Sequence, residues 1–367
     1  MRKFLVESIG YVQGLLLCMA VLLVAACGGG SGDDAGDGGG FVDTSQPLSV
    51  ASSNAVPVSG LVVDAATGGI TAGSVGTFFI AAADALPATR VSVDLSGLTQ
   101  DVIDRLWSMR LQGTLGMASV GPAQVPPSVD CEVSGTVSAT WNDVDMDNEL
   151  SVGDYILLNF NNCVESGLTL NGGMDVGVLE LTGDPYSDAV WTVVLRLNFN
   201  TLTAAEGGAV VEVVGSLDAM VDSQASGSLV TTLTTEVSVG SGSVASSFLY
   251  FGEGEDFTEL TVYHVSLQEN TDSSFTLTGE GTLESSFIGG TVTFETTQAF
   301  SGTDFENNDP AAGQMLILGA ANAGIRLRVI NSVVVELDVD DEGDGFDGGD
   351  ATITSSWDEL GSAVDAL

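Results

Sequence analysis

The chain has 367 residues, of which 44% are hydrophobic, so there is material for one large β domain or two smaller ones with a true core. Eight Lys and Arg stand against 50 Asp and Glu, a formal net charge of −42. That balance rules against nucleic acid, whose backbone needs clustered cations, and against direct docking on anionic head groups; it suits divalent cations, saline surroundings or cationic partners.

At the N-terminus, Met1, Arg2 and Lys3 lead into an apolar stretch that includes Leu15-Leu16-Leu17-Cys18-Met19-Ala20-Val21-Leu22-Leu23-Val24. Two cations before a short apolar run are the n-region and h-region of a secretory signal. A membrane-spanning helix needs about 20 apolar residues, more than this run supplies. Val24-Ala25-Ala26-Cys27 follows: an aliphatic residue, two small residues and a thiol. This order resembles the lipobox of bacterial lipoproteins, and the resemblance covers residues 1–27. It implies that residues 1–26 are removed as a signal peptide and that Cys27 carries diacylglycerol and fatty acyl chains such as palmitate. Several acyl chains anchor a protein stably in a bilayer, where one alone binds marginally. By the same resemblance Gly28, in place of Asp, implies the outer membrane of a Gram-negative cell envelope. Residues 1–26 carry Arg2, Lys3 and Glu7, a net +1, so the chain from Cys27 onward is near −43. It has no lysine, and its six cations are all arginines. Residues 27–40 are expected to be the lipidated cysteine and a flexible tether, because GGGSGDDAGDGGG has nothing to bury.

Residues 41–120 are expected to form an N-terminal β segment with one helix, the period-2 signal starting near residue 56. The helix is predicted at 98–111, LTQDVIDRLWSMRL, where Leu98, Val102, Ile103, Leu106, Trp107 and Met109 fall at helical spacing. Thr99 serves as its N-cap and Gly113 ends it; it is expected to cover an open face or end of a sheet. GPAQVPPS at 121–128 is a joint, and a main antiparallel β domain is expected over 129–360. There Trp191, Val193, Leu195, Leu197 and Phe199 share one face, with Arg196 and Asn198 on the other. Ile325 and Leu327 oppose Arg326 and Arg328 in the same way, and the alternation resumes through Val333, Val335, Leu337 and Val339. Strands with one buried and one wet face are the antiparallel habit. The fold class is therefore all-β: a large antiparallel meander of ten to fourteen strands, as a curved sheet, barrel or half-barrel, with one short covering helix near 98–111.

Of four cysteines, Cys18 leaves with the signal and Cys27 takes the lipid. Cys131 and Cys163 remain, and two cysteines in an exported chain read as one disulfide. Closing that loop contributes roughly 3–4 kcal/mol in the chain-entropy model.

Residues 143–154 read D-V-D-M-D-N-E-L-S-V-G-D. Asp143, Asp145 and Asp147 fall at positions 1, 3 and 5 of a twelve-residue loop. Glu149 offers its backbone carbonyl at 7, Ser151 stands at 9 and Asp154 closes at 12. Alternating carboxylates suit Ca²⁺, which takes six to eight hard oxygens. The loop resembles those of EF-hands and, more closely, of dockerin modules. Its flanks depart from both, since CEVSGTVSATWN and YILLNFNNC read as strands. The resemblance is therefore confined to the loop, and a hairpin with a calcium loop at its tip is expected, Cys131 and Cys163 lying nearly opposite each other further down. A weaker candidate is the acidic stretch with Asp340, Glu342 and Asp344, where Ala351 fails at position 12.

His264 is the sole histidine and lies on a predicted strand; no catalytic set forms around it, and no phosphate loop or zinc spacing is present. The reading is a lipid-anchored, calcium-stabilised β domain with a structural or interaction role in the envelope, partnered by the bilayer and an envelope protein. The alternative is a carrier that holds an apolar ligand in a barrel-like cavity. An enzyme is not expected.

Overall fold

The computed structural model describes residues 44–71, 128–131, 133–146, 151–165, 168–183, 190–206, 209–226, 229–239, 248–253, 256–305, 308–346 and 350–366. The signal peptide, the tether and the helix expected at 98–111 lie outside the described residues. The described elements begin with helix α1 (Ala55–Thr71), followed by strands β1 (Ser128–Asp130), β2 (Ser134–Asn142), β3 (Tyr155–Glu165), β4 (Leu168–Thr182) and β5 (Trp191–Glu206). Then come β6 (Ala209–Ser226), β7 (Leu229–Val239), β8 (Phe248–Glu253), β9 (Asp256–Asn270), β10 (Ser274–Ser285) and β11 (Gly290–Thr303). The chain ends with β12 (Ala312–Leu318), β13 (Gly324–Val329), β14 (Val334–Asp340), β15 (Ala351–Ser356) and helix α2 (Trp357–Asp365).

All fifteen strands form one antiparallel sheet in chain order, as expected of a meander with short connections. They fill fourteen lanes, because β7 and β8 share one between β6 and β9. Ser238 of β7 pairs with Asp218 and His264, and Leu249 of β8 pairs with Gly215 and Leu260. At that junction Gly215 has φ +122°, and a β-carbon there would lie 1.9 Å from the Phe248 carbonyl oxygen. Only glycine allows so close an approach. Among the described residues the ladder path ends at β1 and β15 without joining them.

Alternation places the core on one face of the sheet. Met315, Leu327 and Leu337 lie in one cross-strand row, and Ile317, Ile325 and Val339 in the next. All six are buried. Rows of this kind are the unit of sheet stabilisation. On β5, Val193, Leu197 and Phe199 are buried, while Arg196 points outward to Asp218 in a two-armed pair of 2.7 Å bonds.

Helix α1 corrects the sequence reading, in which alternation began near residue 56. Its residues AVPVSGLVVDAATGGIT are apolar on most sides, and Ala55, Val58, Leu61, Val62 and Ala66 are buried. A helix that is apolar on most sides shows only a weak 3.6-residue stripe, and its valines mimic a strand. Pro57 is tolerated because it falls in the first turn. The helix touches β7, β9, β10, β13, β14 and α2, and the Tyr263 hydroxyl donates to its Ala65 carbonyl at 2.8 Å. Helix α2 carries a capping box, with Ser356 and Glu359 bonding reciprocally across its first turn. Its Leu360 packs so close to Gly60 that a β-carbon at Gly60 would be 2.5 Å from the Leu360 carbonyl oxygen.

Strand alternation also sorts the loops between the two ends of the sheet. The loop 143–154 shares an end with the β4–β5, β6–β7 and β9–β10 connections. The segment Thr44–Val50 sits at the opposite end: Leu48 bonds to Thr291, Thr291 bonds to Gln46, and Ala320 bonds to Leu48. The β14–β15 loop shares that second end. Cys131 and Cys163 form the expected disulfide, their Cα atoms 5.5 Å apart, towards the base of the β2–β3 hairpin.

On the outer face of β13–β15, Asp338 accepts from Arg326 and Thr352, Arg326 lies over the Phe346 ring, and Arg328 pairs with Glu336. Burial alone would push the Asp338 carboxyl up, but the hydrogen bonds from Arg326 and Thr352 and the charges of Arg328 and Arg326 hold it below its ordinary range. A depressed carboxylate adds stability that is fully present above its unfolded value, near 3.9, and is lost as pH falls through the folded value. Asp338→Asn is therefore expected to lower the unfolding free energy by about 1.5–3 kcal/mol at neutral pH. In denaturant titrations the gap between the two proteins should close below about pH 4; a gap that is constant with pH would contradict this.

Candidate metal centre

Strand β2 stops at Asn142 and β3 starts at Tyr155, which leaves 143–154 as the hairpin tip. Its base is clamped to the neighbouring strand: Gly153 donates to the Val178 carbonyl at 2.9 Å, and Val178 donates to the Asp154 carbonyl at 2.8 Å. The side chain of Asp154, 0% exposed, then organises the loop from within. Its Oδ1 accepts from the Val144 N–H and its Oδ2 from the Ser151 N–H, each at 2.9 Å. Asp143 Oδ1 accepts from the Met146 N–H at 2.7 Å, which turns the chain through Met146 at φ +62°.

The result is a convergence of oxygens. Asp143, Asp145 and Asp154 each place a carboxylate oxygen within 4.8 Å of the others. These are positions 1, 3 and 12 of the loop. Ser151, position 9, has its Oγ withdrawn from solvent and without a hydrogen-bond partner. Asp147 and Glu149 lie outside the described residues. Two like charges about 4 Å apart repel by about 4 kcal/mol at an effective dielectric of 20, and relief of that repulsion calls for a positive charge. The three described arginines are each engaged elsewhere, with Asp218, Asp338 and Glu336. A hard divalent cation meets the requirement: calcium binds oxygens at about 2.3–2.6 Å, which sets its ligands at spacings like these.

A second convergence lies at the other end of the sheet. Asp340, Asp344 and Asp350 bring carboxylate oxygens within 4.8 Å of one another. Asp340 is 2% exposed and accepts from the Gly343 and Gly345 N–H groups at 2.7 and 2.8 Å. The loop thus winds around Asp340. The sequence reading chose Asp340, Glu342 and Asp344; the third carboxylate brought in is Asp350, and Glu342 is exposed. The twelve-residue template hid it, because Asp350 stands ten residues after Asp340, whereas Asp154 stands eleven after Asp143.

His264 is half-buried on β9, opposite Ser238 and Glu280 in the ladders. Beside α1, a void of about 10 Å³ is lined by Val63, Ala66, Leu277, Phe300, Met315 and Trp357, among others. That is about one water and far below the few hundred Å³ of a ligand cavity. A trough of about 350 Å³ is lined by Val262, Phe294, Leu316 and Leu318 among others and edged by Glu280 and Glu295. No family model matches the chain, and no curated protein or solved structure matches it.

Asp145 is exposed, so Asp145→Asn removes one carboxylate of the cluster and leaves the Asp154 hydrogen bonds in place. Saturation to 100 times Kd stabilises a folded site by about 2.7 kcal/mol. Calcium should raise the thermal midpoint of the parent protein by several degrees, and most of that rise should be absent in Asp145→Asn. Equal rises in both would remove Asp145 from the site.

Proposed function

We propose that this chain is a lipoprotein of the cell envelope, attached to a bilayer through Cys27, that displays a calcium-stabilised β domain with a structural or interaction role. One observation carries the calcium part: three carboxylates meet within 4.8 Å around the buried Asp154, beside a withdrawn Ser151 Oγ. Asp143, Asp145 and Asp154 would hold the ion, Ser151 would act directly or through a water, and Asp147 and Glu149 would complete the shell. The ion would neutralise mutually repelling carboxylates and fix the β2–β3 tip, as the disulfide fixes the other part of that hairpin. Calcium outside the cytoplasm is plentiful enough to fill weak sites. Support for the anchor is the order of cations, apolar run, Ala25-Ala26 and Cys27. The outer membrane is the membrane that Gly28 favours.

Metabolic labelling with a palmitate analogue tests the anchor: the parent chain should take up label and Cys27→Ser should not. Native mass spectrometry of residues 28–367, purified without chelator, tests the ion. One or two bound calcium ions, lost in EDTA together with thermal stability, are expected. A bare polypeptide mass and a stability indifferent to EDTA would reduce both acidic loops to solvated turns.

A further inference from the structure

We propose that a trough on the outer face of the sheet, crossed by β9 to β12, binds a small alkylammonium ligand, independently of the calcium loop and of the anchor. The trough holds about 350 Å³, within the range of small-molecule sites. Two cross-strand rows build it. In the first, Glu280 of β10 stands directly opposite Glu295 of β11, and Glu295 opposite Leu316 of β12. In the second, Thr282, Thr293 and Leu318 occupy the same three strands. Residues two apart on a strand are roughly 7 Å apart, so the acid row and the threonine row lie a short alkyl chain's length from each other. Strand β9 bounds the trough through a bulge, where the ladder passes from His264 opposite Glu280 to Thr261 opposite Thr282. Within that bulge Val262 has φ +49° and is 72% exposed. A β-branched residue rarely takes that conformation, and bulges re-aim side chains in this way; Val262 lines the trough.

Charge and shape select the occupant. Like charges directly opposite each other on neighbouring strands destabilise a sheet, and a cation between them removes the repulsion. No described cation supplies it: Arg196, Arg326 and Arg328 pair with Asp218, Asp338 and Glu336, and Arg326 is turned over the Phe346 ring. A metal ion fits less well. Among the described residues the carboxylates that converge for one are those of the two loops, and Glu280, Glu295 and His264 do not converge in that way. An anion would meet two carboxylates, and an uncharged guest would strip water from both with nothing in return. An ammonium on an aliphatic body meets every element: its cation lies between Glu280 and Glu295, and its methylenes lie along Val262, Leu316 and Leu318. The size favours a small molecule over a protein surface, since a stable interface buries about 800 Å² on each side.

The test is calorimetric titration of residues 28–367, which contain the whole compact unit Val42–Leu367, with pentylamine at physiological ionic strength. One saturable site is expected, with pentanol binding about ten-fold more weakly for want of a charge-assisted hydrogen bond. Glu280→Gln combined with Glu295→Gln should cost about the same factor, and should not lower the thermal midpoint, because it removes a repulsion. Asp256→Asn combined with Asp358→Asn removes as much charge at exposed positions elsewhere and should leave the affinity within about two-fold. From propylamine through butylamine to pentylamine the affinity should rise by about two- to four-fold per methylene, and Leu316→Thr combined with Leu318→Thr should flatten that rise. Equal losses in the two acid variants would overturn the proposal in favour of general attraction to an acidic chain, and the absence of a saturable site would overturn it outright. A capped lysine peptide that binds about ten-fold tighter than pentylamine would overturn the small-molecule reading and assign the trough to a protein partner.

Discussion

A sheet whose every second residue is apolar must hide one whole face from water, and the rest of this fold answers that requirement. Fourteen lanes of alternating strands create the face. Helix α1 is enclosed in it, with Leu61 and Val62 fully buried. A helix so placed has little wet surface over its described side chains, only Val56, Pro57, Val63, Asp64 and Ala65 being partly exposed. Gly60 lets α2 close on it. Beside α1 the packing leaves a void of about 10 Å³.

Carboxylates converge instead at the ends of the hairpins. The ladders fix the strands, and the loops at either end are free to carry other constraints. Both acidic convergences lie at such ends, one on the β2–β3 tip and one between β14 and β15, at opposite edges of the sheet. Each is organised by a nearly or fully buried aspartate that takes two backbone N–H groups, Asp154 in the first and Asp340 in the second. Gathering like charges around a buried carboxylate opposes folding. The β2–β3 hairpin joins the core through Val137, Ala139, Leu158 and Phe160. The disulfide lies towards its base and the acidic cluster lies at its tip.

Much of this was legible in the residues. Period 2 located the antiparallel meander because each strand has one wet face, and Arg196 and Arg326 were correctly assigned to it. The spacing of Asp143, Asp145 and Asp154 announced their convergence, since a tight loop aims alternate residues at one centre. The opposed cysteines were readable from their distances to that loop. Helix α1 was not, because apolar residues on most of its sides blurred its periodicity. Helix α2 had a legible start, the S-x-x-E of Ser356 and Glu359, which the dominance of strand patterns obscured. Asp350 was missed because recruitment into the second cluster depends on how the loop wraps Asp340, and a fixed twelve-residue register does not encode that.

The most direct measurement is a crystal structure of residues 28–367 grown with a lanthanide in place of calcium, with anomalous differences recorded. The account predicts a strong peak between the carboxylates of Asp143, Asp145 and Asp154, at about 2.3–2.6 Å from their oxygens. An empty loop, or a peak confined to Asp340, Asp344 and Asp350, would contradict it.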